Sequence, residues 1–338
     1  MTRGRIESGL YDPRRGGEPL QAADLAAGPG DFEPVRSNCF GVYCIKTGRG
    51  SATVGEFRHA FGPRSLVFAV PYQHVRFHVE EPLAGSVIRF HANFLCVETF
   101  HAEAGCAGVL FDDPLGVPVL TLAKDEAAEI FDLAARIGRE AGGREFAFQE
   151  AALAYLKVLL VLATRLKAAG VEANGDASTT AGHPLLGRFR ELIEAEYRRR
   201  RAPSWYARAL HVSPKTLGRV VRERLGATPT ALIRARVVTH AKWRLLHTLR
   251  SVKEVATELG FDDELYFSRL FKKATGVSPS FFRAFETEIR GGSNLSMPSG
   301  VPSIPPAVVP AQNASDAPRG SGDRAVATRR RRSDGTEG

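Results

Sequence analysis

The chain has 338 residues, of which 43% are apolar and 25% are charged, a composition that fits a folded protein with room for two domains. Its net charge is +9, but the charge is unevenly distributed. Residues 185–290 contain 22 Lys and Arg against 11 Asp and Glu, whereas residues 1–184 contain 18 against 22. A segment of about a hundred residues with this positive excess is expected to bind a polyanion.

Several classes of protein are excluded early. The longest apolar run, Ala151 to Thr164, is shorter than the ~20 residues of a transmembrane helix, and the N-terminal sequence lacks the apolar core of a secretory signal. The four cysteines are too few for a disulfide scaffold, and none forms a CxxC pair. They are Cys39, Cys44, Cys96 and Cys106. These features predict a cytoplasmic protein that does not bind membranes.

The N-terminal part is predicted to be rich in β-structure. Residues 1–36 contain much Gly, Pro and charge, and we expect a disordered lead-in there. Over residues 37–122, short apolar runs alternate with Gly, Pro and acidic residues, as is typical of strands. The runs are GVYCI, SLVFAV, VRFHV, SVIRF and GVPVLTL. Seven or so short strands predict a small barrel or sandwich.

Two helices are predicted to follow, within residues 123–169. Lys124 to Gly138 places apolar side chains on one stripe, and Phe146 to Ala169 is apolar on nearly every side. A helix of the second kind must be covered on two faces. Packing on the β-domain alone and an additional homodimer contact through residues 124–169 both stay open. Residues 170–184 are predicted to form a linker.

Residues 185–287 are predicted to be entirely helical, and residues 288–338 to form a disordered tail. The helical segment contains an internal repeat. RVVRERLGATPT, from Arg219, matches RLFKKATGVSPS, from Arg269, at an offset of 50, and upstream of them the offset is 49. Two copies of one helical unit are therefore present, at residues 204–225 and 252–274.

Each unit is predicted to be a helix, a short turn and a second helix. In the first unit, Ser213-Pro214 supplies an N-cap and a first-turn proline, and Gly226 ends the helix. In the second unit, Ser251 and Glu254 form a capping box, and Asp262 is predicted to cap the next helix. Gly260 suits the turn there, whereas His211 occupies the matching position of the first unit.

A connector helix is predicted between the units, from Thr228-Pro229 to about Leu249. Its ~20 residues would span ~30 Å at 1.5 Å per residue. One turn of B-DNA repeats every ~34 Å, so such a connector can set two helices into successive major grooves.

These helices resemble the C-terminal DNA-binding domain of AraC/XylS-type transcription regulators, over roughly residues 185–285. The motifs are HVSPKTLGRVVRERLGATP and SVKEVATELGFDDELYFSRLFKKATGVSPSFFR. The first unit departs from the family pattern at Val221, where an aromatic residue is usual, and at Gly218, which weakens a recognition helix. The resemblance implies double-stranded DNA and RNA polymerase as partners, no cofactor and no enzymatic activity.

The resemblance also assigns roles to the exposed faces of the two recognition helices. The N-terminal part of such a helix reads base edges, and the arginines suit guanine. The predicted base contacts are Lys215, Thr216, Arg219, Asp263, Glu264, Leu265, Ser268 and Arg269. The predicted phosphate contacts are Ser213, Arg222, Lys272 and Lys273. Leu217 and Phe267 are predicted to face the core.

For the N-terminal part, the resemblance implies a cupin-like sensor domain that accepts a small-molecule effector. Candidate pocket residues are Tyr72, His74, Phe77 and Phe90, although aromatic side chains equally suit a filled interior. His74, His78, His91 and His101 do not have the spacing of a cupin metal site, and we predict no metal. Cys96 and Cys106 have no basic neighbour in the sequence that would lower a thiol pKa.

The predicted architecture is therefore α+β: a small cupin-like β-barrel with two following helices, then an all-α domain of two helix-turn-helix units. The favoured function is a sequence-specific transcription regulator, more specifically an activator. Two other hypotheses stay open. One is a cupin-type metalloenzyme with an accessory nucleic-acid domain, and the other is an architectural protein that binds DNA without sequence preference.

Overall fold

The structure, a computed structural model, describes residues 9–96, 110–111, 117–173 and 183–291, with residues 170–173 described by backbone alone. All of these residues fall in one compact unit of the chain. The predictions for His101, for Cys106, for the middle of the linker and for the tail beyond residue 291 lie outside the described residues.

The N-terminal part is one antiparallel sheet of seven described strands. They are β1 (Leu20–Ala27), β2 (Gly30–Phe32), β3 (Phe40–Val54), β4 (Phe57–Phe61), β5 (Ser65–Ala69), β6 (Val75–Phe90) and β7 (Val119–Thr121). The long strands β3 and β6 pair along their whole length. The second half of β6 also pairs with β1 and the first half of β3 with β5, while the other halves pair with β2 and β4.

The sheet differs from the predicted barrel because it stays open. Its hydrogen-bonded order is β1-β6-β3-β5-β7, and within the described residues β7 pairs with β5 alone. Register shifts between Ile45 and Gly50 bend β3, where Gly48 adopts a φ of 102° that suits glycine. The two halves of the sheet therefore enclose an apolar cluster without closing.

Two further predictions for this part are wrong. Residues 20–27 and 30–32, which we predicted to be disordered, form β1 and β2. Leu20 and Leu25 are buried there, so a few well-placed apolar side chains in a polar segment are enough to fix a strand. The runs VRFHV and SVIRF, predicted as separate strands, are the two ends of the single strand β6.

Two helices, α1 (Lys124–Gly143) and α2 (Phe148–Ala173), cover the outer face of the sheet. Ile130, Ala134 and Ile137 of α1 are buried, and α2 buries Leu156, Leu159 and Leu160. The buried side of α2 packs in the same cluster as Val42 and Ile88 of the sheet. Helix α2 continues four residues beyond its predicted end, into the segment predicted as linker.

Seven helices follow among the described residues. They are α3 (Pro184–Glu196), α4 (Pro203–Ala209), α5 (Pro214–Leu225), α6 (Pro229–His247), α7 (Val252–Glu258), α8 (Glu264–Thr275) and α9 (Pro279–Arg290). Their apolar faces share one core, and Phe57 and Tyr72 from the sheet are also part of it. The last helix, α9, includes residues 288–290, which we predicted to belong to the tail. None of the described helices is long and apolar enough to cross a membrane.

Candidate nucleic-acid interface

The first helix-turn-helix unit consists of α4 and α5. Its turn passes through His211, which adopts a left-handed φ of 57°. Ser213 caps α5, because its hydroxyl accepts a hydrogen bond of 3.0 Å from the backbone amide of Thr216. Gly226 ends α5 with a φ of 58°. The predicted starts and stops of this helix are therefore confirmed.

The second unit consists of α7 and α8. Both halves of the Ser251–Glu254 capping box are present at the start of α7, and Gly260 in the turn has a φ of 75°. We predicted Asp262 as the cap of α8, and this prediction is wrong. The cap is Asp263, whose Oδ1 accepts a hydrogen bond of 2.8 Å from the backbone amide of Leu265. The turn of the second unit is thus one residue longer than that of the first, which explains the change of offset from 49 to 50.

The side chains predicted to contact base edges all lie away from the core. Leu217 and Phe267, predicted as core, are fully buried on the opposite faces of α5 and α8. Arg219 and Arg269 have 62% and 75% of their side-chain surface exposed, and Leu265 is 72% exposed. The remaining members of this set are exposed or half-buried: Lys215, Thr216, Asp263, Glu264 and Ser268.

The two arginines have weak partners on their own helices. Arg219 forms an exposed ion pair of 3.2 Å with Glu223, one turn further along α5. Arg269 donates to the carbonyl of Leu265 at 3.3 Å and lies 3.9 Å from Asp263. Exposed pairs of this kind contribute little to stability, so both guanidinium groups are available to a stronger acceptor.

The predicted phosphate contacts are exposed as well: Ser213, Arg222, Lys272 and Lys273. Of these, Ser213 already uses its hydroxyl oxygen as the cap of α5. The connector α6 has 19 residues, or about 28 Å of helix, slightly shorter than predicted. It joins α5 to α7 and carries part of the common core, including Leu232, Val237 and Ala241.

A buried polar cluster, here called the Glu286 cluster, links the last helix to the sheet region. The carboxylate of Glu286 is 2% exposed and accepts hydrogen bonds from the Tyr72 hydroxyl at 2.5 Å and from the Asn38 amide at 3.2 Å. Nε2 of His91 lies 3.3 Å from its other oxygen, and Arg290 donates to that oxygen at 3.2 Å.

Burial alone would raise the pKa of Glu286. The hydrogen bond and charge of His91, the charge of Arg290 and the hydrogen bond from Tyr72 outweigh it and lower the pKa to about 2. The carboxylate is therefore ionised when buried. Nearby on α6, Lys242 donates to the carbonyl of Pro71 at 2.7 Å, and its burial lowers the pKa of its ammonium to about 8.

The two glycines that end the recognition helices also contact the sheet region. The backbone amide of Arg58 donates to the carbonyl of Gly226 at 3.1 Å, and a Cβ at Gly226 would lie 2.0 Å from the carbonyl oxygen of Arg58. A Cβ at Gly276 would lie 2.4 Å from the guanidinium of Arg36. Glu56, in the turn between β3 and β4, forms an ion pair with Arg234 of α6.

The structure does not bring together the four residues predicted to form an effector pocket. Phe77 lies inside the bent sheet, Phe90 packs on its outer face, and Tyr72 is buried against α9 beside Phe282. His74 lies at the surface, where its Nε2 contacts Glu33 at 2.5 Å. The reason is the period of two along β6, which sends Phe77 and Phe90 to opposite faces of the sheet.

The other histidines and cysteines are also spread apart. His78 contacts Asp31 at 2.8 Å, and His91 belongs to the Glu286 cluster. No three His, Cys, Asp or Glu side chains of the described residues are grouped as metal ligands. Cys39 and Cys44 are buried free thiols whose burial raises their pKa to about 12, and Cys96 is half-buried.

Sequence reasoning missed the residues that join the two regions. Asn38, Tyr72 and His91 lie between 195 and 248 positions from Glu286 along the chain. It also missed Arg201, which contacts the turn of the second unit. No local pattern marks such contacts, because each depends on how distant elements pack.

Comparison with known proteins agrees with this geometry. The family model for a helix-turn-helix domain matches residues 206–284. The arabinose operon regulatory protein of Salmonella typhimurium is 44% identical over 78 residues, which cover 22% of this chain and 28% of that protein. The transcriptional activator RhaR of Escherichia coli is 28% identical over 109 residues, 32% of this chain and 39% of RhaR. The chain therefore matches less than half the length of either relative.

Two solved structures are also similar. ToxT from Vibrio cholerae, at 14% identity and a TM-score of 0.35, covers 79% of this chain and 99% of its own. The C-terminal domain of AraT, a response regulator from Geobacillus stearothermophilus, is 33% identical with a TM-score of 0.29, covering 30% of this chain and 84% of its own. At TM-scores below 0.5 we draw nothing from either likeness.

The fold and the two exposed recognition helices define a helix-turn-helix protein. The sequence matches agree with this: residues 206–284 match the helix-turn-helix family model, and the C-terminal part of the chain is similar to the arabinose operon regulatory protein and to RhaR.

Proposed function

We propose that this protein is a sequence-specific transcription regulator, and an activator, that binds two successive major grooves of promoter DNA. The observation that carries the proposal is the duplicated unit. Two recognition helices, α5 and α8, present corresponding exposed residues and are joined by a connector of about 28 Å. The excess of positive charge in residues 185–290 supports the same partner.

Arg219 and Arg269 are proposed to read guanine, because each combines high exposure with weak partners. The hydrophobic Leu265 suits the methyl group of thymine, and Lys215, Thr216, Asp263, Glu264 and Ser268 complete the base-reading face. Arg222, Lys272 and Lys273 are proposed to bind phosphates. Ser213 would contribute through the exposed N-terminus of α5 as well as its hydroxyl.

Footprinting on the DNA upstream of the protein's own gene, against random DNA at ~150 mM salt, tests the proposal. We expect protection of two adjacent major grooves and a Kd ratio of about 10³ or more. Arg269→Ala should cost about 1–3 kcal/mol of binding and relax specificity at one base pair, because it removes a base contact. Lys272→Ala, the matched control, should weaken all sequences alike.

Equal affinity for promoter and random DNA would instead support an architectural protein. Equal losses on every sequence for Arg269→Ala would remove that residue from base reading.

Activation further requires contact with RNA polymerase, which stays a prediction. So does homodimerisation through residues 124–169, for which Val158 of α2, 47% exposed, offers an outward apolar side chain.

An effector is proposed to bind the N-terminal part, in a cavity between the sheet and residues 34–39. Its walls include Tyr43, Val75 and the half-buried Arg89. In this state the cavity has room for little more than a water molecule, so an effector would have to widen it. Arg89 interacts with the hydroxyl of Tyr43 and forms no ion pair with a carboxylate of the described residues, so its guanidinium suits a ligand with an acceptor group.

Coupling between this region and DNA binding is proposed to pass through the Glu286 cluster. The segment that lines the cavity, Ser37 to Cys39, includes Asn38, which donates to Glu286. A ligand that moves this segment would change the contact between the sheet and α9. Effector control requires such a difference in contacts between two states. We divide the chain accordingly into a sensor part before the linker and a DNA-binding part from residue 185.

Removing the charge of Glu286 tests the coupling. Glu286→Gln leaves the shape in place but weakens the hydrogen bonds from Tyr72 and Asn38, so we expect the contact with the sheet to loosen. Small-angle scattering should show a larger radius of gyration, and the Kd for the protected DNA should change by about fivefold or more. Thr287→Ala, on the exposed side of α9, is the control. An unchanged Kd together with a looser structure would separate this contact from DNA binding.

A further inference from the structure

The loop between α3 and α4 reaches across to the turn of the second helix-turn-helix unit. Nη2 of Arg201 donates a hydrogen bond of 2.6 Å to the carbonyl of Leu259, the first residue after α7. The guanidinium carbon of Arg201 lies 3.5 Å from the centroid of the Phe261 ring. Gly260, between Leu259 and Phe261 in the chain, packs closely against the same loop: a Cβ at this position would lie 2.0 Å from the carbonyl oxygen of Arg198.

The same loop is fixed to the first unit and to the connector. The hydroxyl of Tyr206, on α4, donates to the carbonyl of Arg200 at 2.8 Å. The hydroxyl of Tyr197 lies 2.6 Å from Nδ1 of His240 on α6. Residues 197–201 therefore contact the first helix of unit one, the connector and the turn of unit two.

The contact continues from the turn to the recognition helix. Phe261 packs against Phe267, with 5.2 Å between ring centroids, and Phe267 is fully buried on the inner face of α8. A shift of the Phe261 ring would therefore move α8 relative to α5, because packed side chains transmit displacement.

The half-buried guanidinium of Arg201 lies against the turn of the second unit. Burial lowers its pKa, and within the described residues its Nε has no hydrogen-bond partner. Arginine combines a flat group that stacks on Phe261 with a directed hydrogen bond to Leu259. Together these two contacts fix the position of the turn of the second unit.

We propose that Arg201 is a positioning residue that sets the spacing between the two recognition helices, and so the spacing of the two DNA half-sites that the protein accepts. The proposal rests on the function proposed above and deepens it. Arg201 acts through Phe261 and α8 and is not itself assigned a DNA contact.

The test compares Arg201→Met with Arg200→Met in the full chain. Arg200 is the neighbouring, exposed arginine, lying over Trp205, so both variants lose one charge but only the first loses the contact with the turn. Binding is measured on the DNA segment protected by the wild type and on the same segment with one base pair inserted between the half-sites. One base pair moves the half-sites apart by ~3.4 Å and rotates them by about a tenth of a turn.

We expect the insertion to weaken the wild type and Arg200→Met by at least about tenfold. Arg201→Met should bind the original segment less tightly and lose most of the penalty for the insertion, while circular dichroism shows it folded at the temperature of the binding measurement. Arg201→Lys, which keeps the charge but not the flat group, should not restore the penalty. An unchanged insertion penalty in Arg201→Met would overturn the proposal.

Amide hydrogen exchange in the absence of DNA provides an independent measurement. The amides of residues 259–263 should exchange faster in Arg201→Met than in the wild type, and equally fast in Arg200→Met and the wild type. Unchanged exchange in Arg201→Met would show that the contact does not fix the turn. A wild type with no preferred DNA segment would instead contradict the function on which the proposal rests, so the two failures are distinguishable.

Discussion

The two helix-turn-helix units have similar helices but different turns. In unit one, three residues lie between the end of α4 and the cap of α5, and one of them, His211, takes the left-handed conformation. In unit two, an additional residue, Asp262, lengthens the turn, and glycine occupies the left-handed position. The second turn is also held by the loop before α4, whereas His211 is exposed to solvent.

This difference indicates where each unit tolerates change. Left-handed backbone costs a non-glycine residue roughly 1–2 kcal/mol, and unit one accepts that cost at an exposed turn. Unit two cannot accept a side chain at the corresponding position, because the carbonyl of Arg198 fills the space. In unit one, the residue at the left-handed position is therefore restricted only by backbone conformation. In unit two, it is also restricted by contact with the loop before α4.

Among substitutions in the two turns, Gly260→Ala should change the free energy of unfolding the most. It adds the cost of a left-handed alanine to a clash with the carbonyl of Arg198, so we expect the free energy of unfolding to fall by about 2–4 kcal/mol. Urea denaturation of the full chain, followed by circular dichroism, measures this as a lower midpoint at an unchanged slope.

The matched control places alanine at the corresponding position of unit one. His211→Ala replaces one left-handed non-glycine residue by another at an exposed position, so its midpoint should match the wild type within about 0.5 kcal/mol. His211→Gly should stabilise by about 1 kcal/mol, since it relieves the backbone cost. A loss for Gly260→Ala no larger than the backbone cost of about 1–2 kcal/mol would mean that the contact with Arg198 has no energetic importance.

Much of the DNA-binding part could be predicted because its signals are local. The N-caps Ser213 and Ser251, the helix-ending glycines Gly226 and Gly276, and the repeat itself each depend on neighbouring residues. The buried positions followed from helical periodicity. The cap at Asp263 was missed because two adjacent aspartates serve equally well in a sequence pattern, and only the length of the turn chooses between them.

The sheet region was harder to predict because its signals are not local. Strands β1 and β2 carry few large apolar residues, and their pairing with β6 involves residues 45 to 70 positions away. The residues of the Glu286 cluster lie far apart in the chain, and each has an ordinary local sequence. The predicted pocket failed for a related reason, because the period of two sends its aromatic residues to opposite faces.

The smallest expected difference in the free energy of unfolding is between substitutions in the middle of the two recognition helices. Gly218 of α5 corresponds to Ser268 of α8, and a Cβ at Gly218 would meet no atom within 4 Å. Gly218→Ala should therefore raise the free energy of unfolding by about 0.8 kcal/mol, because alanine loses less backbone entropy in a helix. Ser268→Ala should raise it by only about half as much. Equal increases in the free energy of unfolding would mean that Gly218 does not weaken α5 relative to α8. A larger increase for Gly218→Ala would show that α5 is the less stable of the two recognition helices because of its glycine.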